Sequence, residues 1–276
     1  MKICIISPID YLEELSVHTN SQMMLAHLVL KSLKYRNFYR AMVERGDFIM
    51  MDNSFHELRE ALPTLELVKA VESIGRVDVM VAPDVWPKRT ETEILTKMFL
   101  DEPRVQRLRS EGTRIMYVAH GGTIEAFSLA AHFCKAQDLD YIGLSSENAS
   151  SGGLSRAEAT RAILKEGFEG DIHWLGIGQP VMAVIQAACS VGVASIDGSS
   201  PIKIATRGYP FDFRGSVKPT MDLEQGEYTE SMIIRSKVII SQMKQIVLAK
   251  GISSKAQTEH EKVLNNPSQC GRGDPH

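Results

Sequence analysis

The sequence predicts an α/β protein that folds as a (β/α)8 TIM barrel, and three observations support this fold class. Short, nearly uninterrupted apolar runs alternate with amphipathic helical patterns, as in parallel strands joined by crossover helices. The 276 residues suit one barrel, which typically needs about 250 residues. Polar side chains follow many of these runs, and no GxGxxG string follows the first. An open doubly wound sheet, the alternative fold, would gather its polar residues at one switch point.

Eight apolar runs are predicted to be the strands of the barrel. They lie at residues 2–7, 48–54, 77–84, 114–122, 141–146, 173–178, 193–198 and 201–206. Most lack a polar alternation, and this is expected of parallel strands that are buried on both faces.

Amphipathic patterns between these runs predict the helices. The first covers 21–45, and its apolar face consists of Met24, Leu25, Leu28 and Val29. Capping boxes at 90–93 and 155–158 mark two further helix starts. A C-terminal helix over 228–250 is expected to close the barrel. The sequence therefore predicts a single domain over 1–250 and a polar, disordered tail over 251–276.

Composition narrows the class of protein. Apolar residues make up 43% and charged residues 24% of the chain, which is ordinary for a globular protein. The net charge of −3 excludes a globally basic nucleic-acid binder, so contact with a polyanion requires a local basic patch. The four cysteines are far apart and form no CxxC pair, which is typical of a cytoplasmic protein. The sequence also has no long apolar segment and no signal-peptide pattern, so we expect a protein that does not enter the membrane.

The segment 171–201 carries the most informative pattern. A helix that starts near Pro180 and ends near Gly192 separates two apolar runs, and together they predict a βαβ unit. The second run ends in Asp197, which small residues follow. A carboxylate at the C-terminal end of a parallel strand lies where α/β folds place their chemistry. The alternative is that Asp197 only caps the following turn.

Polar residues also end other predicted strands. Asp52, Asp84, His120 and the Ser-Ser-Glu sequence at 145–147 each follow one. In a barrel these ends face one mouth, so we expect them to converge with Asp197. Paired carboxylates suit chemistry at an acetal-like carbon, where one acid attacks and another moves a proton. Metal binding is the competing interpretation, although no HxH or ExxH spacing favours it.

Five strings along the chain resemble one family. MMDNSFHE, VAPD, YVAHGG, HWLGIGQP and SIDGSSP occur in this order within residues 48–208. Together they resemble the base-exchanging transglycosylases, and most closely the 7-deazaguanine DNA transglycosylases of viruses and bacteria, which are relatives of the tRNA-guanine transglycosylases. The resemblance covers more than half of the chain.

The resemblance implies roles for individual residues. Asp197 matches the nucleophile that attacks C1′ of a guanine nucleotide, and Asp52 matches the general acid/base, although DNSF stands here in place of the family's DSGGF. Asp84 matches a carboxylate that reads the guanine edge. Further implied base-pocket positions are His120, where the tRNA enzymes carry Gln, and Gly143, Leu144, Ser145, Gly176 and Gly178.

The resemblance also implies the partners. These are guanine-containing DNA, whose target nucleotide is flipped out of the duplex, and a free 7-deazaguanine base such as preQ0. No organic cofactor and no metal are expected, and a homodimer is left open. The zinc site and the appended RNA-binding domain of the tRNA enzymes have no counterpart in this sequence, and this favours DNA over tRNA. A virus-encoded enzyme of this kind would act in the host cytoplasm.

A basic and aromatic segment follows Asp197. It contains Lys203, Arg207, Arg214 and Lys218 among aromatic residues. Cations of this kind contact phosphates and the aromatic rings stack on bases, so we expect the segment to hold the nucleic acid; a packed loop at the barrel edge is the alternative. The remaining functional alternatives are a zinc-free tRNA-guanine transglycosylase, a non-catalytic nucleic-acid-binding subunit and a glycoside hydrolase.

Overall fold

A computed structural model describes residues 1–150, 152–178, 180–210 and 227–264 of the chain. Eight strands in these residues form a closed, all-parallel barrel in sequence order, in which the last strand pairs with the first. They are β1 (Lys2–Ile5), β2 (Ser21–Leu25), β3 (Phe48–Asp52), β4 (Val79–Val81), β5 (Arg114–Val118), β6 (Tyr141–Ser145), β7 (Asp171–Leu175) and β8 (Ser195–Gly198). The predicted (β/α)8 barrel is confirmed.

The helices surround the strands. They are α1 (Leu12–Leu15), α2 (Ala26–Lys31), α3 (Leu33–Arg45), α4 (Phe55–Leu58), α5 (Thr64–Ile74), α6 (Arg89–Asp101), α7 (Pro103–Ser110), α8 (Ile124–Ala136), α9 (Ser146–Ser150), α10 (Arg156–Lys165), α11 (Val181–Ser190), α12 (Ser200–Thr206) and α13 (Glu230–Leu264). Single 3-10 turns lie at Ile9–Tyr11 and Ser16–His18.

Two apolar layers hold the barrel together. A large layer lies between the strands and the helices, and a small one fills the inside of the barrel. The inner layer consists of Cys4, Met23, Met50, Val79, Val81, Met116, Val118 and Tyr141. Because this layer closes the barrel below, the carboxyl ends of the strands open into a single mouth above it.

Two of the predicted elements were wrong. Residues 21–25 begin no helix; they form β2, which pairs with β3 over its whole length, from Ser21 opposite Phe48 to Leu25 opposite Asp52. All five residues of β2 are buried, so the run has no alternation that would mark a strand. Its end and the start of α2 together imitate the spacing of one helix.

The predicted eighth strand, 201–206, is helix α12. Pro201 occupies the first turn of this helix, where its missing N–H costs nothing. Ile202 and Ile204 alternate as in a strand, but both are buried against the barrel, and α12 packs on α13. β8, the strand of Asp197, therefore closes the barrel with β1, and Cys4 lies opposite Asp197.

Of the two capping boxes predicted from the sequence, one is present and one is not. Ser155 and Glu158 form the predicted capping box, in which each side chain accepts a hydrogen bond from the other residue's backbone N–H. The box at 90–93 was wrong, since α6 already begins at Arg89 and Thr90 lies inside it; the N-cap residue is Lys88, which makes no side-chain cap hydrogen bond. Arg89 pairs there with Glu93, and their Nη1 and Oε1 atoms lie 3.0 Å apart.

The C-terminal helix is longer than expected. α13 begins at Glu230 and continues past the predicted end at Lys250 to Leu264. The rest of the predicted tail, 265–276, lies outside the described residues. Among the helices of the described part, none combines the length and the apolar character needed to cross a membrane.

Candidate active site at the barrel mouth

A cavity of about 1150 Å³ occupies the mouth of the barrel. The strand-end residues Asp52, Asp84, His120 and Asp197 all line it, although they are spread over 146 positions of the sequence, from 52 to 197. The cavity is larger than a single base requires, since small-ligand pockets typically measure about 300–1,000 Å³. The structure therefore brings the predicted acids together in a space that admits more than a free base.

Asp197 lies at the end of β8 and is 4% exposed. Its Oδ1 accepts hydrogen bonds from Nε2 of His173 and from the backbone N–H of Gly176, both at 2.9 Å. No hydrogen bond reaches Oδ2 from the residues that the structure describes. The carboxylate is thus fixed through one oxygen, and the other is left for a ligand.

The residue after Asp197 must be a glycine. Gly198 has a φ of 157°, and a Cβ atom built on it would lie 2.8 Å from the backbone nitrogen of Ile177. A backbone atom cannot move aside as a flexible side chain can, so this close approach excludes larger residues. It holds the end of β8 against the loop that follows β7.

Hydrogen bonds extend from Asp197 through the His173 side chain towards the floor of the barrel. Nδ1 of His173 lies 2.7 Å from Oγ of Ser195, which in turn lies 2.7 Å from the hydroxyl of Tyr141. All three side chains are fully buried. The sequence analysis did not single out these residues, although His173 and Ser195 occupy the interior face of their strands, the latter two residues before Asp197.

Arg156 supports the loop that donates to Asp197. Its Nη1 donates to the carbonyl oxygens of Leu175 at 3.1 Å and Gly176 at 2.8 Å, and its guanidinium stacks on Trp174 at 4.6 Å from the ring centre. Burial lowers the pKa of Arg156 to about 10, and the charge of Asp197 opposes this fall. The side chain remains a cation at neutral pH and adds positive charge beneath the site.

Asp52, at the end of β3, is an acid whose pKa is raised by its surroundings. Burial raises its pKa well above the usual range, and the carboxylates of Glu57, Asp197 and Asp84 raise it further. Its Oδ2 accepts from the backbone N–H of Ser54 at 2.8 Å, which opposes the rise. Asp52 therefore keeps its proton at higher pH than an ordinary aspartate.

The local DNSF sequence produces this geometry without the glycines of DSGGF. Ser54 adopts the left-handed conformation, with φ of 65°, and its hydroxyl accepts from the backbone N–H of His27 at 3.2 Å. The side chain of Asn53 accepts from the N–H of Phe55 at 3.0 Å. These contacts hold a tight turn that places Asp52 at the cavity.

Asp84 and His120 form a buried pair. His120 Nε2 lies 2.8 Å from Oδ2 of Asp84, and the amide of Asn53 donates to Oδ1 at 2.7 Å. The two contacts fix the orientation of the Asp84 carboxylate, and each of its oxygens can still accept a further hydrogen bond. His120 thus contacts the predicted base-reading residue directly.

Glu57 is a cavity residue that the sequence analysis did not predict. It lies in α4 and is exposed at the mouth, where partial loss of hydration and the nearby Asp197 raise its pKa, while His56 and Lys203 lower it. Lys203 of α12 lines the same cavity, and its own pKa is lowered by burial and by Arg207. Glu57 and Lys203 therefore attract one another across the mouth, which Glu147 of the predicted 145–147 sequence also lines.

The other predicted base-pocket residues divide into two groups. Ser145, Gly176 and Gly178 line the cavity. Gly143 and Leu144 are not among the residues that line it. The side chain of Leu144 is buried in the layer between strands and helices, while Gly143 lies deeper in the barrel, where an added Cβ would meet Sδ of Met116 at 2.7 Å.

Two of the four residues that are predicted to contact nucleic acid lie within the described part of the chain. Lys203 reaches the cavity, and Arg207, four residues later on the same helical side, is exposed at the end of α12. Arg214 and Lys218 lie outside the described residues. An aromatic side chain, Trp86, also lines the mouth and is 45% exposed.

Within the described ranges, no three His, Cys, Asp or Glu side chains are grouped so that they could hold a metal ion. A comparison with known proteins found neither a matching family model nor a matching curated protein. The fold and the site thus define the chain as a (β/α)8 barrel with a carboxylate-lined mouth.

Proposed function

We propose that the protein is a base-exchange transglycosylase that replaces guanine in DNA with a 7-deazaguanine base through a covalent aspartyl-glycosyl intermediate. One observation carries the proposal: two acids in different environments line the same cavity. Asp197 presents an oxygen that no described residue binds, while burial and like charges raise the pKa of Asp52. Two carboxyl groups whose environments differ in this way suit a nucleophile and a proton donor.

In the first step Asp197 attacks C1′ of the flipped guanine nucleotide. The bond from C1′ to the carboxylate oxygen forms as the C1′–N9 bond breaks, and the electron pair of the broken bond leaves with the base. Asp52 supplies the proton that neutralises the departing guanine. In the second step the entering base gives its N9 proton to Asp52 and attacks C1′, which releases the Asp197 carboxylate.

Asp84 supplies base recognition in this scheme. Its carboxylate, oriented by Asn53 and His120, has lone pairs left to accept from the ring N–H and the exocyclic amine of guanine. A 7-deazaguanine presents the same two donors, because it differs from guanine at the opposite side of the ring system. One carboxylate can therefore read both the leaving and the entering base.

The nucleic acid is held by its phosphates at the mouth. Lys203 lines the cavity and Arg207 extends from the same helix, so both can contact the backbone on either side of an extruded nucleotide. Extrusion costs a few kcal/mol of stacking, which the contacts at the mouth must offset. The choice of DNA follows the resemblance to the DNA-modifying branch of the family.

Label transfer tests the proposal. Purified protein is incubated with labelled guanine, and separately with labelled preQ0, together with duplex DNA or bulk tRNA. We expect label in DNA for the wild type, none for Asp197→Asn, and wild-type transfer for Asp138→Asn. Asp138 is a matched control because it is fully exposed and has a φ of 52°, which Asn also tolerates.

The substrates separate the alternatives. Label that enters only tRNA would keep the chemistry and replace DNA by tRNA as the substrate. Label that enters neither polymer would overturn the proposal and favour a binding subunit. Equal transfer by the wild type and by Asp197→Asn would remove Asp197 as the nucleophile.

A further inference from the structure

Four side chains form a continuous hydrogen-bonded line inside the barrel. It begins at Asp197 and passes through His173 and Ser195 to Tyr141, with successive distances of 2.9, 2.7 and 2.7 Å. Below Asp197 the members are fully buried. The interior of such a barrel is usually filled by branched apolar side chains, and a polar group there is costly unless it is fully hydrogen-bonded.

Proton counting gives this line one direction. Oδ1 of the Asp197 carboxylate can only accept, so Nε2 of His173 must carry a proton. In a neutral imidazole Nδ1 then carries no proton and accepts a hydrogen bond from the hydroxyl of Ser195. The oxygen of Ser195 in turn accepts from the hydroxyl of Tyr141. Each polar proton in the line thereby makes one hydrogen bond, and the Ser195 hydroxyl both donates and accepts.

The lower end of the line is anchored by charges. The Arg114 guanidinium lies 4.5 Å from the centre of the Tyr141 ring. Arg114 also bonds to Asp171 through Nη1 at 2.7 Å and to Asp140 through Nε at 2.8 Å. These ion pairs lie at the amino ends of the strands, so the line extends from the floor of the barrel to its mouth. A fixed Tyr141 fixes the residues above it.

We propose that His173 is a positioning residue that selects the reacting oxygen of Asp197, an inference that rests on the proposed transglycosylase function. His173 and the backbone N–H of Gly176 both donate hydrogen bonds to Oδ1. Oδ2, which accepts none from the described residues, is therefore the atom that attacks C1′. When the ester forms, the C1′–Oδ2 bond replaces C1′–N9 and Oδ1 becomes the ester carbonyl. The same two donors then bind this carbonyl, and they stabilise the carboxylate again when the entering base displaces it.

Two substitutions of His173 separate its two contacts. The amide nitrogen of Gln reaches about as far as Nε2 of His, so His173→Gln can still donate to Asp197. That of Asn reaches about as far as Nδ1, so His173→Asn keeps only the side towards Ser195. The matched control is His132→Gln, which makes the same change at a histidine that is 58% exposed on the outside of the barrel.

The readout is the rate at which the covalent intermediate forms in a single turnover on duplex DNA. His173→Asn is expected to slow it about 10- to 100-fold, the effect of one hydrogen bond to a charged group. His173→Gln should recover most of the rate, and KM for the entering base should stay within about 2- to 3-fold, since His173 does not line the cavity. Thermal unfolding of each variant identifies any loss that comes from stability alone.

Equal rates for His173→Asn and the wild type would overturn the inference and leave the proposed function intact. Equally slow rates for the Asn and Gln variants, with unchanged unfolding temperatures, would also overturn it, because a retained donor would then have no effect.

Nitrogen NMR of histidine-labelled protein tests the line without activity. His173, assigned by the loss of its signals in His173→Gln, should carry its proton on Nε2 and leave Nδ1 unprotonated at neutral pH. A proton on Nδ1 of a neutral ring would overturn the inference. A wild type that transfers no base to DNA or tRNA would overturn the proposed function, and the NMR result would still decide whether the line exists as described.

Discussion

Replacement of Arg156 by methionine tests whether a buried cation holds the site together. The guanidinium, 7% exposed, donates to the carbonyls of Leu175 and Gly176 and stacks on Trp174. Two hydrogen bonds from a charged donor contribute about 1.5–3 kcal/mol each. A desolvated cation–π contact contributes about 1–2 kcal/mol.

The cost of burying the charge acts in the opposite direction. A pKa lowered from 12.5 to about 10 corresponds to about 3 kcal/mol at about 1.4 kcal/mol per pKa unit. Since the contacts outweigh this cost, we expect Arg156→Met to lower the free energy of unfolding by about 3 kcal/mol. The free energy of unfolding of Arg156→Lys should lie between those of the wild type and Arg156→Met, because an ammonium group cannot stack on Trp174 and bind both carbonyls as a guanidinium does.

Urea unfolding at pH 7 measures the effect, with the control Arg161→Met on the same helix. The exchange rate should fall as well, because the supported loop carries the Gly176 N–H that binds Asp197. Buried charges can be replaced by apolar residues without loss in some proteins. An Arg156→Met variant as stable as the wild type would therefore refute this reasoning.

Three further changes have expected outcomes. Gly143→Ala should lower the free energy of unfolding by about 1–3 kcal/mol in urea titrations, because its Cβ would lie 2.7 Å from Sδ of Met116. Much of this loss should disappear when the same change is made in a Met116→Ala protein. Additive effects of the two substitutions would contradict the contact. Asp52→Asn should raise the unfolding temperature by roughly 2–4 °C at pH 7. Because the pKa of Asp52 is raised in the folded protein, its ionisation destabilises the fold as the pH rises above about 4, the pKa of an aspartate in the unfolded chain. The gain from Asp52→Asn should therefore vanish below that pH in calorimetric measurements. A gain that persists there would have another cause. Glu57→Gln removes a negative neighbour of Asp52 and should move the alkaline limb of the exchange rate to lower pH, whereas an unmoved limb would show that Asp52 is not the proton donor.

The strand-end acids were predictable because they depend on fold class alone. Once a parallel barrel is recognised, the carboxyl ends of its strands converge, and Asp52, Asp84 and Asp197 meet whatever the details of the loops. The two errors in the strand order did not matter for these three residues. Their strands were predicted independently of β2.

The sequence was ambiguous where periodicity was lost or imitated. A strand that is buried along all five residues, such as Ser21–Leu25, has no alternation to reveal it. At 201–206 the apolar residues alternate by chance as in a strand, although Pro201 favours a helix start. Tertiary burial decided both cases, and neither local pattern contains that information.

The supporting residues of the site required the structure. His173 and Ser195 meet because β7 and β8 pair with these two residues in register, and a sequence does not specify register between strands. Arg156 belongs to a helix whose docking on Trp174 is a long-range event. Glu57 lies in a four-residue helix after an unusual turn, so its approach to the cavity depends on the left-handed Ser54.

The account depends most directly on a covalent bond to Asp197. The wild type is incubated with guanine-containing duplex DNA without an entering base and quenched in denaturant, and the nucleotide-bearing peptide is identified by mass spectrometry. The account predicts an adduct on Asp197, its absence in Asp197→Asn and its presence in Asp138→Asn. An adduct on Asp52 or Glu57, or base exchange that proceeds in Asp197→Asn, would contradict it.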